Sequence, residues 1–334
     1  MLFPIPEESP AHHVKELRIW IAGQDWVPER FFEYTPCFAN AETVRLLGYG
    51  GVPPLRVPSL WKLPQSVTSL IVNSGVVSPI QIRDIMAQLP NLEDLSLLGS
   101  LIQMDKRGLM GIGTVLTGRF LGKLLLRDEC ADKGVLNMLL QIPTGLHFTE
   151  VDIRCTGECL LSTVKLVGVC GRTLVKLSCT VTVYGIFTPS LSRGKTPPLM
   201  PFPDADSCIE DFERSFDFSK LPNLQEAKFT FRAGRIGGGL LWMPMALSTL
   251  RPTTSPRIST IRLYFARSLI VNRSVLSCIE GTADDLRRVA DEVARIEREF
   301  EGAVSLTTAR DSVFKVVLDT LNVRLCFCGV DDIL

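Results

Sequence analysis

This 334-residue chain contains ten cysteines, a residue type that can bind a metal ion or act as a nucleophile. Cys326 and Cys328 lie two apart, and Cys155-x-x-x-Cys159 is followed by Cys170 and Cys179, whereas structural zinc sites show short paired spacings such as two C-x2-C pairs. Cys179 falls on an inward position of a predicted strand and Cys170 on a helix-like segment. These cysteines are better explained as small apolar residues of a buried core than as zinc ligands. We therefore predict no metal ion and no cofactor.

The sequence also offers few candidates for a catalytic site. The histidines are His12 and His13 near the N-terminus and His147 before a predicted strand, and no cysteine or serine has a base at a spacing typical of a dyad. The segment 111–118 is glycine-rich, but it lacks the G-x-G-x-x-G register and the final Gly-Lys-Ser/Thr of a phosphate loop. We predict that the chain is not an enzyme. A catalytic site built from loops such as 185–206 remains an alternative.

Composition restricts the possible partners and locations. Lys+Arg and Asp+Glu both count 36, and the zero net charge argues against nucleic-acid binding by bulk charge. No run of 18 apolar residues exists, so no membrane span is predicted. The first residues lack the basic region and apolar core of a secretory signal, which favours the cytoplasm or nucleus and free thiols.

The elements that must position any site form an internal repeat. The segment Leu89-Pro90-Asn91-Leu92 returns as Leu221-Pro222-Asn223-Leu224, each time before a strand with apolar residues at alternate positions. Predicted strands place their first inward residue at 17, 44, 70, 95, 124, 151 and 177, with steps of 25 to 29 residues. Further strands place their first inward residue at 227 and 261. The step from 177 to 227 is therefore twice the usual length, which indicates either a missing strand or an insertion at about 185–206.

Amphipathic segments separate the strands. In the segment 78–89, Ser78 is a suitable N-cap, Pro79 occupies the first helical position, and Ile82, Ile85 and Met86 share a face with the residue at 89. A strand-loop-helix unit cannot bury its apolar face alone, but stacked units share a continuous core. We predict an α/β solenoid with parallel strands on one side and helices on the other.

The phrases Leu-Pro-Asn-Leu and Val14-Lys15-Glu16-Leu17-Arg18-Ile19 carry a resemblance to irregular leucine-rich repeats of fungal F-box/leucine-rich-repeat proteins. It covers about 11–270 and implies a horseshoe, with strands on the concave face and helices on the convex face. It also implies intracellular protein binding, such as substrate recognition for a ubiquitin ligase. Two departures are visible: the Asn or Cys expected three residues past each strand is missing, and no F-box is recognisable before the first strand.

The C-terminal part differs from the repeats. We divide the chain into an array at 1–270 and a segment at 271–334 that holds a capping helix and the last strand of the same solenoid. Thr282 is the predicted N-cap of that helix. Its apolar stripe comprises Leu286, Val289, Val293, Ile296 and Phe300. The last strand is predicted at 322–328.

The middle residue of each strand motif should point away from the core, because strand side chains alternate. Basic and aromatic residues recur at these positions, and Arg, Trp and Tyr are enriched in binding hot spots. The predicted partner-binding residues are Arg18, Trp20, Arg45, Asn73, Arg127, Asp152, Arg154, Lys228, Arg262 and Tyr264. We predict that a monomeric chain binds a protein partner through this concave face. The alternatives are binding of an anionic ligand or RNA, although nucleic acid is not favoured by the net charge, and an ordinary solvated surface.

Overall fold

A computed structural model of the protein describes residues 10–21, 37–48, 63–73, 79–98, 118–127, 133–142, 145–183, 215–233, 241–267, 276–301 and 305–309. The chain divides into two compact units, Met1–Arg154 and Cys155–Leu334. Both units combine helices with parallel strands, so the predicted α/β class is confirmed. No helix within the described ranges combines the length and apolarity that a bilayer span would require. The division at residue 270 remains a prediction.

The described part of the first unit contains a parallel sheet in which each strand pairs with the next along the chain. The strands are β1 (Glu16–Ile21), β2 (Thr43–Gly48), β3 (Ser69–Asn73), β4 (Asp94–Leu98), β5 (Lys123–Leu126) and β6 (Glu150–Thr156), the last two residues of β6 belonging to the second unit. Between strands lie the helices α1 (Pro79–Met86) and α2 (Lys133–Leu140). A short 3-10 helix, Pro10–His13, precedes β1.

The described part of the second unit repeats this pattern with longer connections. Its elements are α3 (Leu160–Val169), β7 (Lys176–Val183), β8 (Glu226–Ala233), α4 (Trp242–Ser248), β9 (Thr260–Arg267), α5 (Leu276–Glu299) and β10 (Ser305–Ala309), with 3-10 helices at Gly157–Cys159 and Phe218–Lys220. Strands β7, β8, β9 and β10 pair in this order and are parallel.

The strand registers confirm the repeat positions predicted from the sequence. The first inward residues pair directly with one another across the first unit, in the order Leu17, Val44, Leu70, Leu95, Leu124 and Val151. Leu177, Ala227 and Ile261 pair in the same way in the second unit. Because β7 is bonded directly to β8, the long step from 177 to 227 contains an insertion and not a missing strand of the sheet. The predicted loop at 185–206 lies outside the described residues.

A main-chain hydrogen-bond pattern recurs where one repeat meets the next. The carbonyl of Lys15 accepts from the amides of Glu42 (2.9 Å) and Thr43 (3.0 Å), which precede β2 and begin it. One carbonyl before a strand receives two successive amides of the next repeat in the same way at Glu42, Thr68, Gly122, Val175 and Gln225. The pattern joins each strand to its neighbour before the sheet ladder begins. It requires no particular side chain.

Asparagine side chains add a second recurring bond between repeats. Asn40 donates to the carbonyl of His12 (2.8 Å), and Asn91 donates to that of Gln65 (2.9 Å). In the second unit Asn223 donates to the carbonyl of its preceding repeat, at 172, over 2.6 Å. Each asparagine stands four residues before the first inward residue of its strand. The asparagine of the Leu-Pro-Asn-Leu segment therefore bonds ahead of the strand rather than after it.

The junction between β4 and β5 departs from the common pattern, and this agrees with its longer step of 29 residues. Phe120 adopts a left-handed conformation (φ 46°), and its amide bonds to the carbonyl of Leu92 at 2.9 Å. Asp94 Oδ1 accepts the amide of Lys123 at 2.6 Å. A Cβ atom added at Gly122 would collide with this same carboxylate oxygen. Glycine at 122 thus leaves room for the carboxylate that completes the junction.

The inward strand residues and the apolar helix faces form the cores of the two units. On α1 and the turn after it, Ile82, Ile85, Met86 and Leu89 are fully buried, which confirms the predicted helix face. In the second unit an aromatic cluster fills the core with ring centroids 5.4 to 5.9 Å apart. Its members are Phe216, Phe218, Phe229 and Trp242.

The C-terminal helix corrects one prediction. Helix α5 begins at Leu276, so Thr282 lies inside the helix and is not its N-cap. The low helix propensity of Gly281 and Thr282 is a weak preference that the helical turn before them overrides. The buried stripe is confirmed at Val289, Val293, Ile296 and Phe300. The side chain of Leu286 and the predicted strand at 322–328 lie outside the described residues.

The polar side of α5 contains an arginine that contacts the end of α4. Arg295 is 17% exposed and donates to the carbonyls of Leu247 (2.8 Å) and Leu250 (3.1 Å), at the end of α4. It also pairs with Glu292 and Glu299, each at 2.7 Å. Cations are favoured at helix C-termini, where main-chain carbonyls lack partners. Arg295 therefore fastens α5 to α4.

Candidate protein-binding face

The side of the strands opposite the core, here called the open face, presents its side chains in rows. Residues in one row pair in register, so neighbours stand about 4.8 Å apart along the row. The central row of the first unit contains Arg18, Arg45, Ile71, Ser96, Leu125 and Asp152. A second row contains Trp20, Leu47, Asn73 and Leu98. Adjacent rigid strands thus bring residues that are distant in sequence onto one surface.

The described part of the structure places the predicted partner-binding residues of the first unit on this face, with different exposures. Arg18 and Asn73 are exposed, while Arg45, Arg127 and Arg154 are half-buried. Asp152 is half-buried beside Arg127, with 3.6 Å between Arg127 Nη2 and Asp152 Oδ2. Trp20 belongs to β1, but its side chain lies outside the described residues.

Glu16 neutralises the arginines at one edge of the face. Its carboxylate accepts from Arg18 Nε at 3.0 Å and from Arg45 Nε at 2.9 Å. The hydrogen bond from Arg18 is the main cause that lowers the pKa of Glu16, helped by the positive charges of Arg18 and Arg45, and the same bond raises the pKa of Arg18. At this edge the basic residues predicted for the face therefore form an ion-paired cluster with Glu16.

Sequence reasoning missed the acidic residues because it counted each strand from its first inward residue. The residue before that position also points to the open face, since side chains alternate. This additional row contains Glu16, Thr43, Ser69, Asp94, Lys123 and Glu150. The three acids balance much of the positive charge of the rows beside them. Extending each predicted strand by one residue would have found them.

The open face of the second unit carries a different arrangement. Lys228 on β8 pairs in register with Arg262 on β9, and both side chains are exposed. Thr230 pairs with Tyr264 one row further along. The Nζ atom of Lys228 lies 5.0 Å from the centre of the Tyr264 ring, a cation–π contact. The predicted residues 228, 262 and 264 therefore form one contiguous group.

Among the described cysteines, Cys179 lies on β7 and Cys170 directly follows α3, and both are buried as the sequence predicts. Cys155, Cys159, Cys170 and Cys179 are buried in the second unit and form no disulfide. A hydrogen bond from Cys179 is the main cause that lowers the pKa of Cys155. No group of three or more His, Cys, Asp or Glu among the described residues could hold a metal ion. The glycine-rich segment at 111–117 lies outside the described part of the chain.

Comparison with known protein families and with curated proteins finds no match to this chain.

Proposed function

We propose that the chain is a leucine-rich-repeat solenoid that binds a protein partner through the open face of its strands. In this proposal the open face is the concave side of a horseshoe, and the helices lie on the convex side. The resemblance to F-box/leucine-rich-repeat proteins supports a narrower form, in which binding selects substrates for a ubiquitin ligase. The chain itself performs no chemistry in this proposal.

The observation that carries this proposal is the matched register of the strands. Each repeat adds one open-face residue to each row, and the recurring junction bonds hold these residues on a rigid main chain. Sites built on strands hold their side chains more accurately than sites on loops. Stacked repeats commonly bind partners with such extended surfaces. The polar, basic and aromatic residues of the rows provide the contacts.

The proposal is tested by a pull-down from native lysate with tagged wild type and an open-face variant. In this variant six predicted basic partner-binding residues become Ser: Arg18, Arg45, Arg127, Arg154, Lys228 and Arg262. A control changes three exposed basic residues outside the strands to Ser: Lys165, Arg172 and Arg257. Circular dichroism verifies equal folding of the three proteins before the comparison.

We expect a protein partner that wild type and the control retain and the open-face variant loses. If wild type and the open-face variant retrieve the same proteins, binding through this face is refuted. Subunits of a ubiquitin ligase among the lost proteins would support the narrower form. A lost partner set without any such subunit would contradict the narrower form and leave protein binding standing.

A further inference from the structure

Two exposed cations on adjacent strands of the second unit stand side by side, and no described acidic side chain pairs with them. Lys228 and Arg262 pair in register on adjacent strands, which puts their Cβ atoms about 5 Å apart. Within the described part of the chain, neither side chain has a carboxylate at ion-pair distance. Like charges directly opposite each other destabilise a sheet. An anion placed between the two heads would relieve this repulsion.

In the first unit, by contrast, several arginines of the open face are paired with carboxylates of the same face. Arg18 and Arg45 share the carboxylate of Glu16, and Arg127 has Asp152. An acidic partner arriving there would have to compete with these internal carboxylates. In the second unit Glu226 lies two residues before Lys228 on the same face of β8 and stands in register with Lys176, but within the described part of the chain it forms no ion pair with Lys228 or Arg262. Lys228 and Arg262 are therefore two adjacent cations that no described carboxylate neutralises.

Neighbouring side chains position these cations. The Tyr264 ring lies 5.0 Å from Lys228 Nζ and restricts the otherwise mobile ammonium group. Ser178 on β7 pairs in register with Lys228, which adds a half-exposed hydroxyl to the same row. Arg262 presents a planar guanidinium that can bind a carboxylate through two parallel hydrogen bonds. The row from Ser178 to Arg262 thus offers several donors and, among its described side chains, no acid.

We infer that the open face of the second unit binds an acidic segment of the partner protein, with a carboxylate held between Lys228 and Arg262. This inference rests on the proposed function, since it specifies the chemistry of the partner protein and the part of the open face that binds this partner. Two free cations suit a short run of Asp or Glu. They are too few for RNA, whose affinity depends on neutralising many phosphates, and the one aromatic ring of the group already faces Lys228.

Fluorescence anisotropy on the full chain tests the inference with three labelled probes. The probes are a peptide of alternating Glu and Ser, its counterpart with Gln in place of Glu, and a single-stranded RNA oligomer. The test variant carries Lys228→Gln and Arg262→Gln. The control carries Lys165→Gln and Arg257→Gln, which removes the same formal charge from exposed residues outside the strands. The lysate pull-down is repeated with both double variants.

We expect the acidic peptide to bind wild type and the control alike, more weakly as salt is raised, and to lose about tenfold or more in affinity for the test variant. Equal binding of the Glu and Gln peptides, or unchanged binding by the test variant, would overturn the inference. Preference for RNA over the acidic peptide would overturn it in favour of a nucleic-acid ligand. If the pull-down partner survives in the test variant but not in the six-residue open-face variant, the inference fails while the proposed function stands.

Discussion

Two glycines three residues apart should respond in opposite ways to the same substitution. Gly171 follows α3 and is buried against the next repeat of the second unit. A Cβ atom added there would lie 2.5 Å from the carbonyl oxygen of Lys220 and 3.0 Å from that of Gly168. Gly168 lies within α3, and a Cβ atom added there would meet nothing within 4 Å. Comparing the two Gly→Ala substitutions therefore separates the steric effect of the close approach between repeats from the general effect of an added methyl group on stability.

The magnitudes follow from these distances. A carbon atom and a carbonyl oxygen need more than 3.0 Å, so Gly171→Ala must displace main chain and costs about 1–3 kcal/mol, as in overpacked cores. The reduced freedom of the unfolded chain offsets only a few tenths to about 1 kcal/mol of strain. Gly168→Ala replaces an exposed helical glycine and should stabilise the protein by about 0.5–1 kcal/mol.

Thermal unfolding followed by circular dichroism measures both effects. For a unit of this size, each kcal/mol shifts Tm by about 2–4 °C. We expect Gly171→Ala to lower Tm by up to about 11 °C and Gly168→Ala to raise it by about 1–4 °C. The reasoning is refuted if Gly171→Ala unfolds at or above the wild-type temperature. It is also refuted if Gly168→Ala lowers Tm as much as Gly171→Ala does.

Two other predictions concern charged side chains. Arg295→Met should lower the free energy of unfolding, measured in urea, by about 2–4 kcal/mol, because two carbonyls at the end of α4 lose a charged donor. The exposed control Arg298→Met should change this free energy by less than about 0.5 kcal/mol. Equal effects of the two substitutions would contradict the role assigned to Arg295. In an NMR titration the carboxyl of Glu16 should have a pKa below its ordinary value, chiefly because Arg18 donates to it. Since the folded pKa is lowered, the stabilisation is present above the unfolded pKa and is lost as pH falls through the folded one. Arg18→Ser with Arg45→Ser should return the pKa to its ordinary range, and an unchanged pKa would disprove the pairing.

The repeat positions could be predicted because burial imposes a simple pattern on the sequence. Leu70 and Val72, for example, alternate with residues that face away from the core, and both are fully buried. Every strand of this kind must place apolar side chains at alternate positions, whatever their identity. Helix α1 was predictable for a related reason, since Pro79 marks its start and Ile82 and Ile85 share one face. Local signals and burial agree at these positions.

The pairing of charges could not be predicted in the same way. Whether Arg45 is free depends on Glu16, a residue 29 positions earlier that reaches it only through the register of β1 and β2. The carboxylate of Asp94 at the amide of Lys123 likewise depends on how the longer step between their strands is accommodated. A single sequence states which charges exist, but distances between strands decide which of them cancel.

The recurring bonds between repeats involve main-chain atoms, and this affects how such a chain can change over time. One carbonyl receives two amides at most junctions, from Lys15 in the first unit to Gln225 in the second. Mutation can alter nearly every side chain around such a junction without removing its bonds, provided the inward positions stay apolar. A duplicated repeat would also join its neighbour immediately, whatever partner its own exposed residues recognise. Sequence likeness among the repeats can therefore fade much faster than their geometry.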